Sequence, residues 1–197
     1  MIDVESGNET GIEMEHAKIH AGKSFSCHYT VTTASTDDHR TAIGFKTPSS
    51  EEHGHLVATV FSSHAAEVFI LEAPTIDDDA GTALTILNRK RESAIASVMK
   101  SLMATPVVGG ATSFDEAEIA AATFSGGTEL EYIPLVAEAV PKPVGGVSRG
   151  VQEWELKPDT KYLFIVKNRG ANANLHWIQL DWYEHVDRHE ESHFNVE

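Results

Sequence analysis

Two histidines separated by one glycine, His53 and His55, have the spacing with the most specific chemistry in the sequence. The β-branched segment HLVATVFSS that starts at His55 predicts a strand, and residues two apart on a strand point to the same side. Two imidazoles placed in this way could share a transition-metal ion, with His64 as a further ligand. A carboxylate from another strand would then be needed to complete the site.

The residues that follow do not complete such a site. In cupins, which hold a metal inside a double-stranded β-helix, a glutamate follows His-x-His after three or four residues and another histidine comes later. Here residues 57–60 are apolar or threonine, the first later acid is Glu67, and His176 lacks the glycine-proline frame. We therefore expect a polar strand edge, with no metal and no cofactor. The weak candidates for metal ligands are His53, His55 and His64.

A second group of histidines lies near the C-terminus. His185, His189 and His193 are four residues apart, so a helix would place them on one face, where they could chelate a metal. They stand in a charged segment in which such a helix would have little to pack against. We expect a solvated tail.

No pattern typical of an enzyme stands out. The acidic triplet Asp77, Asp78 and Asp79 lacks the spacing of a calcium loop and predicts a solvated turn. Cys27 alternates with apolar residues, which indicates a core position rather than a catalytic thiol. A G-x-S-x-G string does occur at residues 146–150, around Ser148, but it stands in a loop sequence rich in proline and glycine and without a matching base, rather than in a strand-to-helix turn. We predict no catalytic residues and a protein that is not an enzyme.

Aromatic residues are concentrated towards the C-terminal end. They are Trp154, Trp177, Trp182 and Tyr183. If some of them were exposed, they could stack on sugars or anchor a protein interface. The favoured interpretation for each one is a place in the core.

Composition narrows the classes of protein further. The chain has 197 residues, 41% of them hydrophobic, which suits one domain with a core. A formal charge of −15 argues against a nucleic-acid partner, and a single cysteine excludes an internal disulfide. No apolar run approaches the roughly 20 residues of a membrane helix. The acidic N-terminus lacks the features of a signal peptide, so we expect a soluble protein made in the cytoplasm.

Short strands dominate the rest of the pattern. Strands are predicted at 24–33, 41–47, 55–63, 65–73, 82–90, 128–139, 151–156, 160–168 and 175–185. Segment 65–73 is apolar on both faces and should be central, segment 95–104 fits a strand or a helix, and 128–139 should be interrupted at Pro134. A capping box of Ser113 and Glu116 predicts one short helix, ending at the glycine pair 126–127.

These elements predict an all-β fold with one short helix, a single antiparallel β-sandwich of jelly-roll type. We divide the chain into an N-terminal arm at 1–18, the sandwich at 19–186 and a polar, histidine-rich tail at 187–197.

Five segments of the chain resemble a family of virion structural proteins of tailed bacteriophages, the head decoration or capsid cement proteins. They are IHAGKSFSCHYTVTTASTDDHRTAIGFKTP, HLVATVFSSHAAEVFILEAPTI, GTALTILNRKR, GGTELEYIPL and GGVSRGVQEWELKPDTKYLFIVKNRGANANLHWIQLDWYEH. The similarity covers residues 19–186. It implies a non-enzymatic protein on the outer surface of the virion head, which binds the major capsid protein and stabilises the shell. It also implies a homo-oligomer, often a trimer, with no nucleic-acid or membrane partner.

Two classes of function stay open. The first is this capsid-binding role, in which the N-terminal arm could pair with a neighbouring subunit. The second is a carbohydrate- or receptor-binding module of a phage tail or fibre, and a cupin-like enzyme is a distant third. The residues predicted to lie in an interface are Ile2, Val4, Ile12, Trp154, Trp177 and Trp182.

Overall fold

The computed structural model describes residues 14–34, 39–77, 82–104, 107–108, 127–135 and 153–186. Within them the elements are α1 (Met14–His20), β1 (Ser24–Ala34), β2 (Arg40–Lys46), β3 (Glu52–Ser62), β4 (Ala66–Glu72), β5 (Ile76–Asp77), β6 (Thr82–Ala83), β7 (Leu87–Asn88), β8 (Lys100–Ala104), β9 (Val107–Val108), β10 (Thr128–Leu135), β11 (Trp154–Glu155), β12 (Lys161–Asn168) and β13 (Asn174–Val186). The predicted helix near Ser113 and the tail at 187–197 lie outside the described residues.

Most strands belong to two antiparallel sheets that pack face to face. One sheet has the order β11-β3-β13-β1-β7 and the other β10-β4-β12-β2-β8-β6; β5 and β9 form a separate pair. The eight strands β1–β4 and β10–β13 alternate between the two sheets in the manner of two Greek keys, which is the jelly-roll arrangement. The predicted all-β sandwich is therefore confirmed.

The core forms where the inward sides of the sheets meet. In β13 the inward residues are His176, Ile178, Leu180 and Trp182, each at most 1% exposed, as the alternation of the sequence predicts. Rings from the two sheets fill the centre: Phe25 packs on Trp182, and Phe45 on Tyr162, with centroids 5.9 and 5.6 Å apart. Burying each large apolar side chain stabilises the fold by about 1.5–3 kcal/mol.

Strand β4 is internal to its sheet, with β10 on one side and β12 on the other. This confirms the central position predicted from its two apolar faces. On the outward face of this sheet Ala42, Leu163 and Ile165 are at most 1% exposed and form a second, smaller apolar cluster with Leu71. The sequence of β12 is also apolar at consecutive positions, because this strand lies inside the sheet and is buried on both faces.

Pro134 lies inside β10, opposite Glu67, and does not interrupt it. The predicted break is wrong because β10 pairs with β4 alone and forms the edge of its sheet. A proline, which has no N–H to donate, is tolerated on an edge strand.

The strand predicted at 82–90 is also wrong. The chain crosses between the sheets in this segment: β6 pairs with β8 in one sheet and β7 with β1 in the other. Leu84 and Ile86 pack against the main core along the crossing. The ambiguous segment 95–104 adopts strand geometry from Lys100 onwards.

The helix α1 was not predicted, because seven residues are too few to show a helical period. It belongs to the segment that the sequence pattern assigned to a loose arm. Its last turn contains Lys18 and His20, which suits the negative end of a helix dipole. Among the described residues, no helix has the length and apolar character needed to cross a bilayer.

Candidate functional site

The two histidines at the start of β3 lie on the outward side of their sheet, while the glycine between them faces inward. The side chains of His53 and His55 are 24% and 18% exposed. Gly54 is buried, and a Cβ atom built on it would collide with the terminal methyl group of Met99. Core packing therefore accounts for the glycine, and both imidazoles stay accessible at the surface.

A third histidine joins them from the neighbouring strand β13. The antiparallel register places His185 opposite His53 and Tyr183 opposite His55. The Nε2 atoms of His55 and His185 are 2.6 Å apart, and their ring centroids are 4.6 Å apart. The centroid of His53 lies 6.5 Å from that of His185. We call these three residues the histidine cluster.

The sequence pattern had assigned these histidines to different groups. His185 was grouped with His189 and His193 in a solvated tail, although it also ends the strand predicted at 175–185. It lies in β13, and the other two histidines lie outside the described residues. His64 was grouped with the pair of β3, but it lies beyond the far end of that strand, about 30 Å away at 3.3 Å per residue. Only strand register could have revealed the partnership with His185.

Two carboxylates approach the cluster from the side of β11. Glu155 Oε1 lies 3.9 Å from Nδ1 of His53, and Glu153 Oε1 lies 3.9 Å from Nδ1 of His55. The Tyr183 hydroxyl is 3.5 Å from Glu153 Oε2, and the Tyr183 ring stacks on His55 with a 4.7 Å centroid separation and an interplanar angle of 7°. Negative charge thus faces the Nδ1 sides of two imidazoles whose planes are held by packing.

The short contact between His55 and His185 requires a shared proton, and either ring can be the donor. Two ring nitrogens 2.6 Å apart form an N–H···N hydrogen bond, which requires one Nε2 to carry a proton and the other to accept it. As the side chains stand, no three histidine, cysteine or acidic groups in the described ranges are arranged to hold a metal ion.

A buried carboxyl group lies on the inner side of the same strand end. Glu184 is 1% exposed, and its Oε1 accepts hydrogen bonds from the Ser97 hydroxyl, the Val98 amide and the Trp182 indole, the last two at 3.0 and 3.1 Å. Within the part of the chain that the structure describes, Oε2 has no partner. Burial raises the pKa of this carboxyl group above its ordinary value. No sequence pattern pointed to this residue.

Another buried ionisable group, His176, lies in the core. The Thr41 hydroxyl is 2.9 Å from its Nδ1, and its Nε2 has no partner among the residues described. Burial, with a contribution from His39, lowers the pKa of His176 to about 4. The ring is therefore neutral at physiological pH.

The remaining candidates take ordinary structural places. Cys27 lies in the core, and burial raises the pKa of its thiol to about 12, so it is a poor nucleophile. Asp77 ends β5, while Asp78 and Asp79 lie outside the described residues.

The three tryptophans differ in position. Trp182 is 1% exposed and belongs to the core, so it is not available at the surface of the chain as an interface residue. Trp154 is half-buried against the core. Trp177 is partly exposed on the outward face of β13, outside the core clusters, opposite Phe61. The other predicted interface residues, Ile2, Val4 and Ile12, lie outside the described residues.

The outward face of the other sheet contains a shallow pocket of about 330 Å³. Phe69, Leu71 and Ile165 provide apolar lining, and Arg40 and Lys167 provide cationic groups. Next to it, Phe69 packs on Tyr132 with ring centroids 5.2 Å apart, and Tyr132 is 46% exposed. Each outer face of the sandwich therefore presents partly exposed aromatic surface.

Comparison with known proteins identifies no relative of this chain. The sequence matches no protein-family model, and neither a curated protein nor a solved structure shows significant similarity to it.

Proposed function

We propose that this chain is a non-enzymatic structural protein of a tailed-phage virion, which binds the outer surface of the head and stabilises it. In this role the chain assembles into a homotrimer and contacts the major capsid protein. The resemblance of residues 19–186 to head decoration proteins suggests the role, and the jelly-roll sandwich is compatible with it.

The observation that carries the proposal is the presence of accessible aromatic surface on both outer faces of the sandwich. Phe61 and Trp177 are cross-strand neighbours on one face, and Phe69 and Tyr132 are in contact on the other. Aromatic side chains are enriched in protein interfaces, where they contribute much of the binding energy. A subunit that touches both a sister subunit and the shell needs two such faces.

Charge supports an outward location. A net charge of −15 opposes contact with packaged nucleic acid but favours solubility on the outside of a particle. The pocket on the other face combines charges of both signs, because Glu129 lines it together with Arg40 and Lys167. Its apolar lining is therefore the feature that suits it to a partner surface.

The proposal can be tested on particles of the phage that encodes the chain. Heads and tails are separated, and the chain is quantified by mass spectrometry in each fraction. We expect it in heads, in a fixed ratio to the major capsid protein, and its removal should lower the temperature at which heads rupture. Its presence in tails alone would refute the proposal.

Rebinding to stripped heads then tests the two faces. Trp177→Ser and Tyr132→Ser should each weaken assembly by about tenfold or more, as expected for an aromatic interface anchor. Thr30→Ser is a matched control, because Thr30 is exposed and lies directly opposite Trp177 on the same face. Unchanged binding of both aromatic variants would contradict the use of these faces.

A carbohydrate-binding module is the second candidate, and the surroundings of Trp177 favour it. Gln179 and Asp181 follow Trp177 on the same outward row, and the Gln179 amide donates a 2.7 Å hydrogen bond to Asp181. An indole beside planar polar groups can stack on a sugar and bind its hydroxyls. Host-surface glycans that change tryptophan fluorescence in the wild-type chain, but not in Trp177→Ala, would support this candidate.

A further inference from the structure

We propose that His53, His55 and His185 bind one divalent transition-metal ion, for which Zn²⁺ is the best match, and that Glu153 and Glu155 orient two of the rings. This inference is independent of the proposed function, since it depends on the histidine cluster alone.

The first argument is the convergence of three imidazoles from adjacent strands. Histidine nitrogens bind Zn²⁺ at 2.0–2.1 Å, which places the ring centroids of two ligands about 5 Å apart around one tetrahedral ion. The observed centroid distances of 4.6 Å between His55 and His185, and 6.5 Å between His53 and His185, lie on either side of that value. Strand pairing fixes the backbone positions of all three residues, so the change from the present side-chain arrangement, which forms no metal site among the described residues, would have to come from side-chain rotation.

The second argument is the position of the carboxylates, which is independent of the ring spacing. Histidine ligands of metals usually donate their other ring N–H to a carboxylate or carbonyl, which fixes the tautomer. Glu155 lies on the Nδ1 side of His53 and Glu153 on the Nδ1 side of His55, each at 3.9 Å. At 3.9 Å neither contact is a hydrogen bond, so each ring must move towards its carboxylate before its Nδ1–H can donate to it. A proton held there leaves the Nε2 lone pair for a metal, and the Nε2 atom of His55 is the one that meets His185.

A small rearrangement separates the present state from a metal-bound one. Two nitrogen ligands of a tetrahedral Zn²⁺ lie about 3.3 Å apart. The Nε2 atoms of His55 and His185 are at 2.6 Å, so the two rings must separate by roughly 0.7 Å. In the neutral pair, the donor ring moves its proton from Nε2 to Nδ1, and both Nε2 lone pairs then bind the ion. No proton is lost from the pair in this step.

The ligand chemistry selects the ion. Neutral imidazoles suit Zn²⁺, Ni²⁺ and Cu²⁺, whereas Ca²⁺ and Mg²⁺ prefer oxygen ligands. Three protein ligands leave a fourth position open on the outward face of the sheet. Water, or a side chain of another molecule, can bind there.

The test is titration of the full chain, purified without a histidine tag, with Zn²⁺ in competition with a fluorescent chelator. We expect one ion per chain, and Co²⁺ in its place should give the visible absorption of a tetrahedral site. His53→Gln and His185→Gln should each weaken binding by about tenfold or more. Glu155→Gln should weaken it by about tenfold, which is typical for the loss of a carboxylate that orients a ligand histidine.

Matched controls identify the ligands. The double variant His189→Gln, His193→Gln and the single variant His64→Gln keep the cluster and should leave Kd within about twofold. The thermal transition should rise with Zn²⁺ in the wild type but not in His185→Gln, whose transition without metal checks that it folds. Less than one ion per chain, or affinity that survives His185→Gln but is lost in the tail variant, would overturn the assignment.

Discussion

The hydroxyl oxygen of Thr41 lies 2.9 Å from Nδ1 of His176, and this contact joins the two sheets inside the core. Thr41 belongs to β2 and His176 to β13, and both residues are fully buried. Protonation of this imidazole would bury a positive charge and an Nε2–H that has no acceptor among the described residues. Its protonation is therefore linked to folding.

We expect the stability of the protein to fall between about pH 6.5 and pH 4 because of His176. Its pKa is about 4 in the folded chain and 6.5 as the ordinary value, so the unfolded state binds more protons across this range. The full loss is about 3 kcal/mol. Urea denaturation at several pH values should show a smaller loss in His176→Gln, and His64→Gln, at an exposed turn, should behave as wild type. Equal pH slopes in all three proteins would contradict this linkage.

Replacing the glycine between the two histidines should destabilise the fold only slightly. Gly54→Ala places a methyl group against the terminal methyl of Met99, which is the flexible end of that side chain, so the cost should lie at or below the lower end of the ~1–3 kcal/mol typical of overpacking. Met99→Val shortens that side chain, so the cost of Gly54→Ala should be smaller in its background. A double-mutant cycle by chemical denaturation measures the difference, and strictly additive effects would argue against the collision.

Removing a buried tyrosine hydroxyl should destabilise the fold more than removing an exposed one. Tyr162 is 1% exposed; its hydroxyl donates to Glu72 at 3.0 Å and accepts from the Lys157 amide at 2.9 Å. Tyr162→Phe should therefore lower the free energy of unfolding by about 1–2 kcal/mol. Tyr132→Phe also removes a hydroxyl that donates to a glutamate, Glu67, but at the surface, and its effect should be clearly smaller. A larger loss in Tyr132→Phe would reverse this ranking.

The turn after β3 should depend on one amide side chain from β13. Asn174 is fully buried, and its Oδ1 accepts hydrogen bonds from the Ser62 and Ser63 hydroxyls and from the His64 amide. Asn174→Ala leaves the His64 amide without this acceptor, whereas the Ser62 hydroxyl keeps the His64 carbonyl at 2.7 Å, and the substitution should cost about 1–3 kcal/mol. Asn172→Ala, at an exposed position two residues earlier, is the control and should change stability by less than about 0.5 kcal/mol.

Much of the sandwich follows from local pattern. The alternation from His176 to Trp182 and the two-sided apolar character of β4 predict which faces are buried, because both patterns record the environment of single strands. The crossing at Leu84 and Ile86 could not be predicted in this way. Leu84 and Ile86 pack on the core as residues of a strand would. The backbone on either side of them, however, pairs with different sheets, β6 with β8 and β7 with β1.

The sequence predicted only part of the histidine cluster. His53 and His55 are neighbours in sequence, so strand geometry alone places them on one face. His185 joins them through the register of two strands that are more than a hundred residues apart in the chain. Register is set by the packing of the whole sandwich, and the charged residues after His185 pointed to a solvated tail instead.

The edges of the two sheets limit how this protein can polymerise. Of the edge strands in the described residues, β6, β7 and β11 have two residues each, and β10 contains Pro134 and an irregular register near Glu131. In one sheet, however, β7 pairs only with Phe25 and Ser26 of β1, and β11 pairs only with His55 and Leu56 of β3. Addition of a strand from another chain would therefore have to use the longer strands β1 and β3 beyond these short partners, rather than the terminal strands themselves.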